Sequence, residues 1–188
     1  MVLDPLTHYS RTASRSAGVV IGSYSTSFGL ACWLLGPRER RDIENIYALV
    51  RVADEVVDGA ARAAGLDPTA VCAQLDGLEI ETERALASGY STNMVVHAFA
   101  ETARRSGLDA SLTRPFFASM RADLNVSTHS RDTLEEYIYG SAEVVGLMCL
   151  KVFSSMKGAA PGHTEELVRS ARSLGAAFQK VNFLRDLG

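Results

Sequence analysis

Apolar residues recur at every third or fourth position along most of the chain, which is the spacing of one face of an α-helix. Clusters of glycine, proline and serine separate the periodic segments. The pattern predicts helices at about residues 9–21, 37–59, 67–89, 91–107, 108–124 with a break at Pro115, 132–153 and 165–187. The sequence contains no convincing period-two alternation, βαβ rhythm, glycine-rich phosphate loop or repeat. We therefore predict a single all-α domain over residues 1–188.

The helix predicted over residues 37–59 carries a charged stripe opposite a wide apolar arc. Arg51, Asp54 and Asp58 stand at i, i+3 and i+7 and therefore share a face. Two carboxylates one turn apart repel each other, and a cation bound between them would remove the repulsion. Mg²⁺ fits because it uses one or two carboxylates together with water and substrate phosphate, and Arg51 could hold a phosphate oxygen beside it. The competing interpretation is an ordinary solvated helix face.

The last predicted helix repeats this spacing. Gln179, Asn182 and Asp186 again stand at i, i+3 and i+7, whereas Lys180 and Arg185 point in other directions. We expect apolar neighbours to enclose this amide stripe, so that its polar groups need partners. A hydrated metal-diphosphate would supply them. The alternative is a pair of amides that hydrogen-bond to a neighbouring helix.

A third stretch combines a tyrosine with two glycines inside a predicted helix. Tyr137, Ser141 and Met148 share one face of that helix. Gly140 and Gly146 each cost a helix about 1 kcal/mol relative to alanine. Their presence predicts the close approach either of another backbone or of a long apolar ligand.

Composition narrows the class of protein. The chain has 188 residues, 47% hydrophobic and 22% charged, with a formal charge of -3, so neither disorder nor a nucleic-acid-binding surface is predicted. The three cysteines have no paired spacing, which argues against a zinc site. We find no signal-peptide pattern and no apolar run long enough to span a bilayer. We expect a cytoplasmic protein, with peripheral membrane contact left open, and the sequence predicts no oligomeric state.

Several short motifs follow one another in a fixed order. From the N-terminus they are Ser27-Phe28, Leu34-Leu35-Gly36-Pro37, Tyr47, Arg51, Asp54-Glu55-Val56-Val57-Asp58, Met120–Leu124, Tyr137–Met148 and Ala177–Asp186. In this order they resemble the squalene/phytoene synthase family, and most closely the phytoene synthases. Each motif is weak by itself, but together they cover nearly the whole chain in register.

The resemblance implies a fold and an activity. The fold is an all-α isoprenoid-synthase-type helical bundle around a central cavity, which lies between two Asp-rich helices. The activity is the head-to-head condensation of two geranylgeranyl diphosphates, through a cyclopropylcarbinyl diphosphate, to phytoene, with Mg²⁺ or Mn²⁺ as the cofactor. No NADPH is expected, because no nicotinamide-binding signature is present. The alternatives are a squalene or dehydrosqualene synthase that uses farnesyl diphosphate, and a non-catalytic family member that acts as a binding or assembly protein.

The resemblance also implies roles for individual positions. The metal-binding positions are Asp54, Asp58 and Asp186, and the diphosphate-contacting positions are Arg51 and Arg185, with Gln179 and Asn182 near the same site. Tyr137 matches a tyrosine that faces the reacting carbons. The other substrate-binding positions are Ser27, Phe28, Tyr47, Val145 and Met148.

Three features depart from the family pattern. Glu55 stands where many members have a second Asp, and Tyr24 stands where some have His. The second Asp-rich motif requires a carboxylate four residues after Asp186, and the sequence contains none there. We therefore expect the N-terminal two-thirds or so of the family fold, truncated at its C-terminus and inactive by itself. A di-iron carboxylate bundle is disfavoured, since no histidine has a glutamate three residues before it.

Overall fold

The computed structural model describes residues 4–125, 130–156 and 165–186, apart from the side chains of Ser27, Asn125, Arg131, Arg185 and Asp186. Within these ranges the chain forms helices and turns, with no β-strand. The helices are α1 (Pro5–Tyr24), α2 (Thr26–Cys32), α3 (Pro37–Asp58), α4 (Ala60–Ala63), α5 (Pro68–Ser88), α6 (Met94–Ser106), α7 (Ala110–Asn125), α8 (Arg131–Ile138), α9 (Val144–Ser154) and α10 (Glu165–Asp186). A π-helical turn, Tyr139–Glu143, joins α8 directly to α9. The predicted all-α class is confirmed.

The starts of the helices follow standard capping chemistry. The Asp67 carboxylate accepts a hydrogen bond from the Ala70 backbone N–H at 2.8 Å, and Pro68 occupies the first turn of α5, as predicted. The sequence pattern predicts a start at residue 91, with Ser91 or Thr92 as the cap of α6, and this prediction is wrong. Asn93 is the cap, since its side-chain oxygen accepts hydrogen bonds from the N–H groups of Val95 and Val96. The Ser91 hydroxyl donates to Glu81 Oε1 at 2.5 Å.

The break predicted at Pro115 is also wrong, because α7 continues through it. A proline in a helix removes one backbone hydrogen bond and costs about 3 kcal/mol. The next two residues, Phe116 and Phe117, are fully buried. Each such side chain contributes about 1.5–3 kcal/mol on burial, so packing offsets the cost and the helix stays intact.

Helix α3 lies at the centre of the fold, since it packs against α1, α5, α6, α7 and α9. Its inner face buries Ile46, Leu49, Ala53 and Val57. These residues belong to one large hydrophobic core, which also contains Phe99 of α6 and the two phenylalanines of α7. Because the core fixes the position of α3, it also fixes the backbone that carries the residues near the C-terminal end of this helix.

A buried polar layer joins α1, α3 and α6. The buried Asp42 carboxylate accepts hydrogen bonds from Thr102 Oγ1 at 2.8 Å and from Arg105, with which it also forms an ion pair. Asn45 donates to Thr102 Oγ1 at 3.0 Å and to Ser14 Oγ at 3.3 Å. Arg105 lies in the last turn of α6, so its ion pair with Asp42 ties the end of α6 to α3.

Glycines mark the places where helical backbones come closest. A Cβ atom on Gly140 would lie 2.2 Å from the Pro115 carbonyl oxygen of α7. One on Gly146 would lie 2.7 Å from the Ala171 carbonyl oxygen of α10, and one on Gly175 would lie 2.6 Å from that of Ala142. Of the two explanations offered for Gly140 and Gly146, close approach of another backbone is the one that the structure supports.

Candidate active site

The predicted charged stripe occupies the last two turns of α3. Asp58 is the final residue of the helix and is exposed, whereas Asp54 is partly buried. Arg51 forms an ion pair with Glu55 one turn further along. Its guanidinium carbon also lies 4.3 Å from the centre of the Tyr24 ring, the residue of α1 that departs from the family pattern. The structure thus brings Arg51, Asp54 and Asp58 together, as predicted.

Asp54 is the most perturbed carboxyl group of this region. Burial, together with the negative charges of Asp58 and Asp123, raises its pKa to about 7, although the positive charge of Arg51 opposes the shift. The positive charge of Arg51 therefore only partly balances the negative charges of the three aspartates. The arrangement favours the binding of either a proton or a metal ion at Asp54.

Asp123, on α7, is the site residue that the sequence analysis missed. It appeared there only as part of the motif Met120–Leu124, with no role. The Tyr137 hydroxyl donates a hydrogen bond to Asp123 Oδ2 at 2.9 Å. Phe116, Met120 and Asp123 stand at i, i+4 and i+7, so a carboxylate continues the buried apolar face of α7. That departure from the apolar pattern was the available signal.

Tyr137 links this cluster to α10. Its side chain is only 8% exposed, and its ring centre lies 5.8 Å from that of Phe183. Burial raises the pKa of the Tyr137 hydroxyl, and the Asp123 carboxylate raises it further. The hydroxyl therefore stays protonated and serves as a hydrogen-bond donor, while the ring presents an aromatic surface.

Two predicted substrate-binding aromatic residues pack on each other beside Arg51. Phe28 of α2 and Tyr47 of α3 stack with ring centres 5.6 Å apart and an interplanar angle of 27°. Phe28 is 42% exposed, so the pair forms an open aromatic wall next to the charged stripe. The Ser27 side chain lies outside the described residues.

The two aliphatic positions predicted to line a prenyl cavity behave differently from each other. Val145 is partly buried and packs against the main core. Met148 is 1% exposed and is a member of that core. Val145 therefore remains accessible to a bound chain, whereas Met148 contacts other side chains of the protein in this structure.

The amide stripe on α10 is less enclosed than predicted. Gln179 is partly buried, but Asn182 is exposed. The inward positions belong to Gly175, which meets the π-helical turn, and to Phe183, which meets Tyr137. Since Phe183 takes the inward direction one turn after Gln179, Asn182 is rotated towards solvent. The side chains of Arg185 and Asp186 lie outside the described residues.

The donor set fits a hard divalent cation. Asp54, Asp58 and Asp123 supply carboxylate oxygens, which Mg²⁺ and Mn²⁺ prefer. Among the described residues, no three acidic, histidine or cysteine side chains form a ready-made metal cage. Mg²⁺ does not need one, because it keeps several waters and completes its shell with substrate phosphates.

Comparisons with known proteins agree with this geometry. Residues 21–188 match the family Squalene/phytoene synthase. The chain belongs to this family. It is 35% identical over 185 residues to phytoene synthase 3, chloroplastic, of Zea mays, covering 98% of this chain and 42% of the relative. It is also 35% identical over 175 residues to phytoene synthase 2, chloroplastic, of Solanum lycopersicum, covering 91% of this chain and 53% of the relative.

A solved structure supports the same assignment for the fold. A crystal structure of a dehydrosqualene synthase in complex with ligand superposes with a TM-score of 0.71 at 25% identity. The superposition covers 97% of this chain and 59% of that chain. The predicted isoprenoid-synthase-type helical fold is confirmed. The chain spans about half the length of the phytoene synthases that it matches.

Two further expectations concern location. No helix in the described ranges is both long and apolar enough to cross a bilayer. The names of both plant relatives specify the chloroplast. For this family member, the expected cytoplasmic location and peripheral membrane contact both stay predictions.

Proposed function

We propose that this protein is a prenyltransferase that joins two prenyl diphosphates head to head. The substrate we favour is geranylgeranyl diphosphate, and the product is phytoene, formed through a cyclopropylcarbinyl diphosphate. The observation that carries the proposal is the cluster of Asp54, Asp58 and Asp123 next to the Tyr137 hydroxyl. Membership of the squalene/phytoene synthase family and the names of the plant relatives support it.

Carboxylates from two helices bind the cofactor in this proposal. Asp54 and Asp58 of α3 would hold Mg²⁺, or Mn²⁺ in its place, with Asp186 of α10 as a further ligand. A cation held there would supply positive charge to neutralise a departing diphosphate. Asp123 lies close enough to Asp54 to raise its pKa, and it keeps the Tyr137 hydroxyl oriented.

Positively charged and amide side chains hold the diphosphate. Arg51 is only partly exposed and is held by Glu55, so an incoming diphosphate oxygen meets a guanidinium whose position is already restricted. Arg185, Gln179 and Asn182 of α10 act from the other side in the proposal. Because the sequence carries no nicotinamide-binding signature, we propose the non-reductive outcome.

Aromatic side chains protect the reacting carbons. Ionisation of an allylic diphosphate creates a carbocation, which the faces of aromatic rings stabilise. Tyr137 presents a buried ring close to the aspartates, and the Phe28–Tyr47 pair lies beside Arg51, with Tyr47 one helical turn before it on α3. We propose that these rings, with Ser27 and Val145, surround the prenyl chains and exclude water, which would quench the cation.

The dehydrosqualene synthase neighbour favours a second candidate substrate. Farnesyl diphosphate has the same diphosphate and allylic chemistry and differs only in chain length. A non-catalytic family member that binds prenyl diphosphates is the remaining alternative.

Product analysis distinguishes these candidates. The protein, extended to the length of its relatives, is incubated with Mg²⁺ and either geranylgeranyl or farnesyl diphosphate, and the extracted hydrocarbon is identified by mass spectrometry. Phytoene from the longer substrate supports the proposal, and dehydrosqualene from the shorter one supports the alternative. Asp54→Asn should abolish the product, while Glu136→Gln, which removes an exposed carboxylate of α8, should retain it. Diphosphate binding without any hydrocarbon would identify a non-catalytic protein.

A further inference from the structure

A large cleft lies at the opposite end of α3 from the aspartates. It has a volume of about 1360 Å³ and is formed by α1, the first turns of α3 and the last turn of α6, with the end of α5 at its rim. Arg41, in this cleft, and Asp54 are thirteen residues apart, which is about 20 Å along a helix axis. The cleft is therefore separate from the candidate active site, and none of the residues proposed for catalysis lines it.

Arginine dominates the lining of this cleft. The six arginines are Arg11, Arg15, Arg38, Arg41, Arg104 and Arg105. All six are exposed, and three pieces of secondary structure contribute two each. Arg105 forms ion pairs with Asp42 and Glu101. None of the other five forms an ion pair with a carboxylate in the part of the chain that the structure describes.

The carboxylates of the cleft leave most of this charge unbalanced. Three of them line it, Asp42, Glu44 and Glu101. Asp42 and Glu101 are both engaged by Arg105. Glu44 is partly buried; burial raises the pKa of its carboxyl group and the charge of Arg41 opposes that shift, so Glu44 partly balances Arg41. Several guanidinium groups thus face one solvent-filled space and repel one another, although the chain as a whole carries a formal charge of -3.

We propose that this cleft binds a multiply charged phosphate anion, either free in solution or as the headgroup of an anionic lipid. The planar guanidinium fork binds phosphate oxygens through two parallel hydrogen bonds. Arginines that approach from α1, α3 and α6 can contact several oxygens of one anion at once. The cleft also exceeds the roughly 300–1,000 Å³ typical of small-molecule pockets, so it has room for more than a single phosphate.

The proposal is independent of the prenyltransferase activity, and its test can be kept so. Calorimetric titration with inorganic diphosphate in the presence of EDTA removes any contribution from metal-dependent binding. Sedimentation with phosphatidylglycerol vesicles, against phosphatidylcholine vesicles, tests the lipid source. Both experiments use the complete 188-residue chain.

The variants separate the cleft from net charge. Arg15→Gln with Arg41→Gln removes two cleft arginines from different helices. Arg62→Gln with Arg84→Gln removes two exposed arginines of α4 and α5 that lie outside the cleft, and changes the net charge equally. Thermal unfolding of both variants without ligand establishes that they fold.

We expect the cleft variant to bind diphosphate about tenfold or more weakly than the unmodified chain, since each charge-assisted hydrogen bond contributes about that factor. The control variant should bind normally. The same contrast seen only with phosphatidylglycerol vesicles would identify a lipid headgroup as the ligand. Arg51→Ala, in the candidate active site, is made as well to detect diphosphate that binds there. Equal losses in the cleft and control variants, loss only in Arg51→Ala, or no binding of either probe would overturn the proposal.

Discussion

Asp54 combines two unfavourable properties for a carboxylate: it is partly buried, and its nearest charged neighbours are mostly acidic. Its carboxyl group has a pKa of about 7 in the folded chain, against 3.8 for an ordinary aspartate. Between these two values the folded protein holds a proton that the unfolded chain has lost. This carboxyl group therefore lowers the stability of the fold progressively as the pH rises from about 4 to about 7.

Replacing Asp54 by asparagine should therefore stabilise the metal-free chain at alkaline pH. We expect Asp54→Asn to unfold at a higher temperature than the unmodified chain at pH 8, and the difference to shrink by pH 5, because the carboxyl group is then largely protonated in the folded state. The measurement is thermal unfolding by circular dichroism in EDTA. Glu136→Gln, which removes an exposed charge, should show no such trend, and a pH-independent effect of Asp54→Asn would refute the argument.

The hydrogen bond between Tyr137 and Asp123 should be detectable as coupling between the two residues. Tyr137→Phe removes a hydroxyl that donates to a carboxylate at 2.9 Å in a partly buried place, so we expect the free energy of unfolding to fall by about 1–3 kcal/mol. Urea denaturation of both single variants and of Tyr137→Phe with Asp123→Asn gives the coupling energy.

Tyr139→Phe is the matched control for that cycle. Tyr139 lies two residues after Tyr137, and the substitution keeps its aromatic ring. The Tyr139 hydroxyl makes no hydrogen bond among the described residues. The substitution should leave stability almost unchanged. Additive effects of the two substitutions in the cycle would mean that the bond contributes nothing and that Tyr137 acts by packing alone.

At the scale of single residues, the sequence predicts which side chains share a helix face, but it does not predict how deeply each side chain is buried. Arg51, Asp54 and Asp58 share a face because helical spacing requires it, and that prediction holds. Periodicity does not say how far a neighbouring helix covers a face. Asn182 is therefore exposed although its spacing resembles that of the first stripe. Asp123 was overlooked because its contact with Tyr137 spans fourteen residues and two helices.

Between elements, the glycines act as spacers that fix distances between helices. Gly146 and Gly175 lie where α10 approaches α9 and the π-helical turn so closely that no Cβ atom fits. Tyr137 lies just before that π-helical turn. The distance from the aspartates and Tyr137 to α10 therefore depends on these glycines.

Gly146→Ala should destabilise the chain, whereas Gly77→Ala should stabilise it. The Cβ atom on Gly146 would lie 2.7 Å from a carbonyl oxygen of α10, while a Cβ atom on Gly77 of α5 meets nothing within 4 Å. Alanine is favoured over glycine in an open helix by about 0.5–1 kcal/mol. Urea denaturation gives the free energy of unfolding of each variant, and the comparison is direct because both variants replace glycine by alanine. Stabilisation by both would show that α9 and α10 separate easily.

The elements themselves were largely predictable, and the errors have a common cause. Helix periods and the Asp67-Pro68 start are local properties, so they are visible in the sequence. Pro115 was misjudged because its helix is retained by the burial of Phe116 and Phe117, a tertiary effect. The π-helical turn at Tyr139–Glu143 was likewise not predicted, because the tight contact of Gly140 with α7 involves residues distant in sequence.

For the molecule as a whole, the outer surface of α10 is unusually apolar. Phe178, Val181 and Leu184 are between 60% and 71% exposed, and Leu34, after α2, is 90% exposed. Isolated exposed apolar residues are ordinary, but a row of them along one helix marks a surface suited to further contacts. The neighbouring structure has additional chain, since only 59% of it is covered.

We expect the 188 residues by themselves to give no measurable head-to-head product. Asn182 shares a helix face with Asp186 and is exposed to solvent, whereas a carbocation requires a dry site. Incubation of this chain with Mg²⁺ and geranylgeranyl diphosphate, beside a version extended to the length of its relatives, is the comparison. Comparable turnover by the two proteins would mean that the described helices suffice.

The fold class was predictable because several weak signals agree over the whole chain. Helical periodicity, the absence of period-two segments and the order of the family motifs all indicate one architecture. The basic cleft was not predictable, because its arginines come from three separate helices and are unremarkable in each. Only packing of α1 against α3 and α6 brings them to one place.

The side-chain charges at both ends of helix α3 have the sign that the helix macrodipole disfavours. The aligned peptide dipoles of a helix place partial positive charge at its start and partial negative charge at its end. In α3, Arg38 and Arg41 flank Glu39 at the start, and Asp54 and Asp58 occupy the end, where no basic residue lies in the last turn. Each end thus opposes the macrodipole and favours a bound ion of opposite sign, an anion at the first turn and a cation at the last. Ligands at both ends would complete the electrostatics of the helix that the rest of the fold surrounds.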